Sequence, residues 1–206
     1  MITIIDDFLS EEDTLEELYK FFHYAGSWQF DFFPNKYIWA KRQKDKTEHL
    51  ICKIIRKLPT IDPVFNSNGY EVWANVLDKD INHLSHHVDC DEFAEDIEPA
   101  KKTAVIFLGG DDQLEGGELV MDTNGYYPDY KFEENIYDLK ERSQKEGWLK
   151  IPYKPNRLVI FEGNMAHGVL PIKHLQPGTS RVSLMISCWD KEVKIKRSFL
   201  FDIFYK

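Results

Sequence analysis

The run Arg181-Val-Ser-Leu-Met-Ile-Ser187 has the spacing of a β-strand with two unlike faces. Successive side chains of a strand point to opposite sides. Arg181, Ser183, Met185 and Ser187 therefore share one face, and Val182, Leu184 and Ile186 share the other. If the branched aliphatic face packs on supporting helices, the Arg/Ser/Met face lines the interior of a barrel or sandwich. A guanidinium is costly to bury unless an anion meets it. A planar guanidinium suits the grip of a carboxylate through two hydrogen bonds, and Ser183 can add a third.

Working backwards, Gln176-Pro-Gly178 reads as a turn and Val169-Leu-Pro-Ile172 as a strand. The chain can run out and back here, which returns Arg181 to the neighbourhood of His167 in Asn164-Met-Ala-His167-Gly168. A second polar group, His87-Val88-Asp89, ends 78 positions before His167. Residues two apart on a strand project together, so this imidazole and carboxylate face one way. Two His and one carboxylate can occupy one face of an octahedral ion and leave three positions open. That is the ligand set of non-haem Fe(II) oxygenases, and a closed structural site would look different. Taken singly, His87, Asp89 and His167 read as surface or structural residues. Together with Arg181 and Ser183 at workable spacing they read as a metal site with a carboxylate clamp.

The rest of the chain is consistent with a β-rich fold. Further β-rich runs are Glu71 to Leu77, Thr103 to Leu108, Glu118 to Met121 and Arg157 to Phe161. Gly109-Gly110, Gly116-Gly117 and Asn124-Gly125 punctuate them. Before residue 60 the periodicity is helical. Leu15, Leu18, Tyr19 and Phe22 follow a start at Ser10, and Leu50, Ile51, Ile54, Ile55 and Leu58 mark a second helix that Pro59 ends. Helices followed by many short strands predict an antiparallel β-sandwich or barrel buttressed by helices. We expect a single domain over 1–206, with N-terminal helical support over 1–60 and a core over 70–190. The polar, aromatic segment 126–148 interrupts that core as a lid-like insertion, helical over part of 133–146.

Composition narrows the function classes. Lys plus Arg is 26 against 35 for Asp plus Glu, a net charge of -9, which disfavours a nucleic-acid or anionic-membrane partner. No apolar run approaches a membrane span, and the N-terminus lacks a secretion signal. Three cysteines, Cys52, Cys90 and Cys188, have no paired spacing and favour a reducing, cytoplasmic compartment. The stretch from Lys36 to Lys57 is locally basic and reads as a solvated face, with a surface for an acidic peptide or nucleic acid as the alternative. The aromatic tail from Lys194 to Lys206 reads as a packed final strand, with a homodimer contact as the alternative.

In order along the chain, His87-x-Asp89, Gly116-Gly-Glu-Leu-Val120, Asn156-Arg-Leu-Val-Ile-Phe161, His167 and Arg181-x-Ser183 resemble the Fe(II)/2-oxoglutarate-dependent dioxygenases. The resemblance is to the prolyl-4-hydroxylase-like branch, and Ile4-Ile-Asp-Asp-Phe-Leu-Ser10 extends it to that branch's opening strand and first helix. It implies a double-stranded β-helix core of the jelly-roll or cupin type. It implies Fe(II) on His87, Asp89 and His167, with Arg181 and Ser183 binding the distal carboxylate of the cosubstrate 2-oxoglutarate. With O2, and with ascorbate as an admissible auxiliary, such an enzyme hydroxylates an unactivated carbon. The implied substrate is a prolyl or other peptidyl side chain, or a free amino acid-like small molecule. Asp89 favours hydroxylation, since related halogenases replace that ligand with a small residue.

Two departures qualify the match. Collagen-type prolyl hydroxylases carry Lys where this chain has Arg181. Relatives often place a cosubstrate-binding Tyr on the strand after the first metal motif. Here that run offers Phe107 and Thr103, of which only Thr103 can hydrogen-bond. Asn75, on the strand before the metal motif with Trp73, is a further candidate to line the cosubstrate pocket. His86 is expected to point away from His87, into solvent or behind the ligands, and His83 to be exposed. The competing readings are a non-catalytic metal-binding β-barrel, a nucleic-acid oxidative demethylase and a zinc hydrolase. The last would leave Arg181 and Ser183 unexplained.

Overall fold

The structure is a computed structural model that describes residues 1–10, 12–25, 28–34, 46–67, 69–90, 98–110, 113–124 and 140–190. Two helices, α1 (Glu12–Ala25) and α2 (Lys46–Lys57), back one side of a strand-rich core. The strands are β1 (Thr3–Ile5), β2 (Trp28–Pro34), β3 (Gly69–Leu77), β4 (Leu84–His87), β5 (Lys102–Gly109) and β6 (Glu115–Gly116). They continue with β7 (Leu119–Asp122), β8 (Trp148–Ile151), β9 (Leu158–Glu162), β10 (His167–Val169), β11 (Ile172–His174) and β12 (Arg181–Trp189). The major sheet has the order β1-β9-β5-β12-β3-β2, and the minor sheet β4-β10-β7-β8. A two-stranded ribbon, β11-β6, completes the set, and the pairings are antiparallel.

Two cores explain why the central strands β5 and β12 are buried on both faces. Val182, Leu184 and Ile186 of β12 and Ala104, Ile106 and Leu108 of β5 meet Leu18 and Phe22 of α1 and Ile51 and Ile54 of α2. The intervening residues, Met185, Val105 and Phe107, face Leu119, Met121 and Val169 of the minor sheet. All nine residues of β12 are buried, because helices cover one face of the strand and a second sheet the other. The sequence split of that strand into two faces is thus reproduced.

The observed elements differ from the sequence reading mainly in the short strands. Residues 1–60 supply two strands of the major sheet as well as the helices: β1 pairs with β9 and β2 with β3. Helix α2 stops at Lys57, and Leu58–Thr60 tightens into a 3-10 turn around Pro59. Helical structure appears at residues 140–142, and Trp148 already belongs to β8. The rest of the expected insertion, the part of the basic run from 36 to 45 and the aromatic tail lie outside the described residues. Among the described residues no helix is long and apolar enough to cross a membrane.

Candidate metal centre and anion pocket

The metal candidates converge because two short strands pair. β4 and β10 run antiparallel, and His87 stands directly opposite His167. Their ring centroids are 4.4 Å apart. Asp89 lies two residues beyond the end of β4, where its carbonyl accepts the backbone N–H of Ala100 at 2.9 Å and holds the turn against the start of β5. Its Oδ1 is 3.7 Å from Nε2 of His87 and 3.8 Å from Nε2 of His167. One donor atom from each residue lies within 4.8 Å of the others, so the three expected ligands form a single cluster.

The protonation pattern suits a cation. Nδ1 of His87 donates to the Ser85 carbonyl at 2.8 Å, and Nδ1 of His167 donates to the Met165 carbonyl at 3.0 Å. A carbonyl can only accept, so both rings carry a proton on Nδ1 and direct Nε2 toward Asp89. Burial, with the adjacent His87, pushes the His167 imidazole down to about 4, so it is neutral at pH 7. Neighbouring donors on an octahedral ion with bonds of about 2.1 Å lie roughly 3.0 Å apart, so the carboxylate–imidazole separations of 3.7 and 3.8 Å need to close by less than about 1 Å around an ion. The donor set is hard and borderline, with nitrogen and oxygen only, and leaves one side open; it fits an octahedral Fe(II) better than a closed structural zinc.

Arg181 opens β12 on the same interior face and is fully buried. Its Nε donates to the Gly117 carbonyl at 2.9 Å and one terminal nitrogen donates to Ser183 Oγ at 3.3 Å. The guanidinium carbon lies 4.8 Å from the Tyr153 ring centre and 5.1 Å from that of Phe107. Among the described residues no carboxylate forms an ion pair with it. Burial pulls its pKa down to about 10, with Tyr153 and Glu118 opposing the shift, and it remains a cation at neutral pH. Three of its five N–H donors have no protein acceptor among the described residues, so a buried positive charge awaits an anion.

Gly117 is needed for this arrangement. Its φ is +66°, and a Cβ there would stand 3.1 Å from Cδ of Arg181. Gly117→Ala should therefore destabilise the fold by about 1–3 kcal/mol through left-handed strain, read from denaturant unfolding, with far-UV circular dichroism unchanged.

A narrow cleft runs from His87 and His167 to the arginine, with Trp73, Asn75, Leu84, Leu119 and Met185 among its walls. Asn75 stands opposite Ser183 in the β3–β12 register, and its amide approaches Met185 Sδ at 3.9 Å. Thr103 is placed elsewhere: its hydroxyl reaches Asp89 Oδ2 at 2.6 Å. His86 is buried against Trp148 on the opposite side from His87, and His83 is half-buried with Nδ1 3.0 Å from Asn82 Oδ1.

Sequence reasoning missed Tyr153. Its ring stacks on Phe107 at 4.7 Å, and its hydroxyl is tied to the backbones of Gly109 and Val182. Burial raises its pKa to about 12, so the hydroxyl stays protonated. A tyrosine does stand beside the clamp, delivered by the irregular segment after β8 and not by β5. Its only signal in the sequence is an aromatic between Pro152 and Pro155, which does not announce a site.

The fold and the cluster define a helix-backed double-stranded β-helix with a two-histidine, one-carboxylate centre. Its architecture is that of the prolyl 4-hydroxylases and related 2-oxoglutarate/Fe(II) oxygenases. A prolyl-4-hydroxylase from Pseudomonas putida is similar over 92% of this chain and 92% of its own, with a TM-score of 0.59 at 15% identity. A Trichoplax adhaerens prolyl hydroxylase, solved with a hypoxia inducible factor oxygen degradation domain peptide fragment, matches over 92% and 83%, TM-score 0.51, 13% identity. HygX from Streptomyces hygroscopicus with iron bound matches over 91% and 81%, TM-score 0.52, 10% identity. No protein-family model matches the chain, and no curated protein matches it in sequence.

Proposed function

We propose that the chain is an Fe(II)- and 2-oxoglutarate-dependent dioxygenase that hydroxylates an unactivated carbon. The observation that carries this reading is the buried Arg181, with no carboxylate partner among the described residues, in the cleft that His87 and His167 line beside Asp89. A metal-binding barrel without catalysis needs the three ligands and has no use for a desolvated guanidinium that costs stability.

His87, Asp89 and His167 would hold the metal through Nε2, Oδ1 and Nε2. Bound Fe(II), with 2-oxoglutarate and O2, supplies the redox chemistry, in which the keto acid is converted to succinate and CO2. The chain's own contribution is placement and exclusion of water. Arg181 donates to the distal carboxylate of the cosubstrate, Ser183 steadies the guanidinium, and Asn75 faces the same space. Phe107 and Tyr153 keep the clamp dry, which strengthens its hydrogen bonds.

We assign the substrate to peptidyl side chains, prolyl among them, or amino acid-like molecules. The support is the architectural likeness to prolyl hydroxylases, one of them solved with a peptide. The acidic net charge weighs against nucleic-acid demethylation. No disulfide links Cys52, Cys90 or Cys188, which suits a reducing cytoplasmic setting.

Anaerobic addition of Fe(II) and 2-oxoglutarate tests the proposal. A weak visible charge-transfer band that requires both components is the expected result. Bound iron with no band at saturating 2-oxoglutarate would overturn the assignment.

A further inference from the structure

Asp89 has two oxygens, and the protein treats them differently. Oδ1 faces both imidazole Nε2 atoms, whereas Oδ2 is turned toward hydroxyls. Thr103 begins the interior run of β5, and Ser187 stands directly opposite it on β12. Both are fully buried. Thr103 Oγ1 lies 2.6 Å from Asp89 Oδ2 and 2.6 Å from Ser187 Oγ, whereas Ser187 Oγ is 3.4 Å from Oδ2.

One proton per hydroxyl fixes the direction of this chain. An ionised carboxylate only accepts, so the Thr103 proton goes to Asp89 Oδ2. The Ser187 proton then goes to Thr103 Oγ1, the shorter of its two contacts. Hydrogen bonds in series polarise one another, and the one ending on a charged acceptor is the strong one. Nothing about packing asks for hydroxyls at these positions. The residues after Thr103 are Ala104, Val105, Ile106, Phe107 and Leu108, and valine has nearly the shape of threonine.

We propose that Ser187 and Thr103 form a positioning relay that reserves Asp89 Oδ2 for hydrogen bonding and presents Oδ1 alone to the metal. The carboxylate then binds through one oxygen, which leaves the third open coordination position to cosubstrate or O2. The relay rests on the oxygenase reading of the cluster. It adds two residues that touch neither metal nor substrate and act only through Asp89.

The test uses the full chain and Co(II) as the probe, followed by its visible bands and by calorimetry, then 2-oxoglutarate titrated into the Co(II)-saturated protein. Thr103→Val should weaken Co(II) binding by about 10–100-fold, the usual effect of losing a partner behind a metal ligand. Ser187→Ala should weaken it less, since it acts one bond further away, and Thr103→Ser should restore near-native affinity. The 2-oxoglutarate affinity of the metal-saturated variants should stay near native, because Arg181 is untouched. Native-like Co(II) affinity in Thr103→Val would overturn the relay and leave the oxygenase reading standing. So would parallel loss of metal binding, 2-oxoglutarate binding and thermal stability in both Thr103→Val and Thr103→Ser, which would show a packing role. A native protein that binds Co(II) but not 2-oxoglutarate would sink the oxygenase reading, and the metal affinities alone would still judge the relay. No Co(II) uptake by the native protein would sink both.

Discussion

Arg181→Met is expected to abolish useful 2-oxoglutarate binding while leaving the ligand-free protein at least as stable as the native one. The first half follows from the hydrogen bonds to a carboxylate that a thioether cannot donate. Truncating one partner of a buried, hydrogen-bonded charge pair costs roughly 2–5 kcal/mol, which at 1.4 kcal/mol per decade is about 30-fold to several thousand-fold in affinity. The second half follows from what the guanidinium lacks. Arg181 is fully buried with Gly117 and Ser183 as acceptors and two aromatic rings as neighbours, but no carboxylate among the described residues. Replacing a buried charge by an apolar chain of similar volume is often neutral or stabilising. The opposed signs make the experiment informative: 2-oxoglutarate titration of the metal-loaded variant should fail while the metal-free melting temperature holds or rises. A fall in both would mean that Arg181 is part of the scaffold. Arg181→Lys should recover charge without the planar fork, and so only part of the affinity.

His167→Ala should remove the metal site. The residue is buried, faces His87 across the strand pair and packs its ring edge against Phe161 at 4.8 Å. Loss of a direct ligand should exceed the roughly 10–100-fold loss that follows from disturbing a residue behind one. Metal retained after dialysis should drop from near one equivalent to background. His167→Gln separates ligation from packing, because it fills much of the same volume. Both variants should also lose the rise in melting temperature that Co(II) gives the native protein, since only a bound ligand stabilises by mass action. Retained metal in either variant would remove His167 from the ligand set.

The parts of this site that were legible in the sequence are those carried by regular strands and by side chains with one physical use. Arg181 to Ser187 alternates except at Met185, and an arginine on the inward face admits few explanations. His87, Asp89 and His167 have the chemistry of a ligand set, but only pairing of β4 with β10 brings them together, and each strand is too short to show a period of its own. The role of Thr103 was open between cosubstrate and elsewhere. A side chain's partner depends on the stretch just after β4, where the Asp89 carbonyl meets Ala100 ahead of β5, and no local rule encodes that contact. Tyr153 was invisible for a similar reason. It lies in an irregular segment, and its neighbours Arg181 and Phe107 are distant in sequence. Of the two strands within residues 1–60, β2 went unread, and β1 was expected only from the resemblance at Ile4 to Ser10, because a three-residue edge strand has no period to detect.

The placement of β4 has a bearing on how the molecule would sense its supply of metal. This four-residue strand lies at the rim of the minor sheet, and β10 is its sole sheet neighbour among the described residues. An ion shared by His87 and His167 would rivet the rim to its neighbour and close a long stretch of chain between two fixed points. Segments with few partners open first in native-state exchange, so the amides of Leu84–His87 become the natural gauge of occupancy, fast to exchange when the rivet is missing and slow when it is present. The metal-free molecule would then show a loosened rim long before the helix-backed core yields.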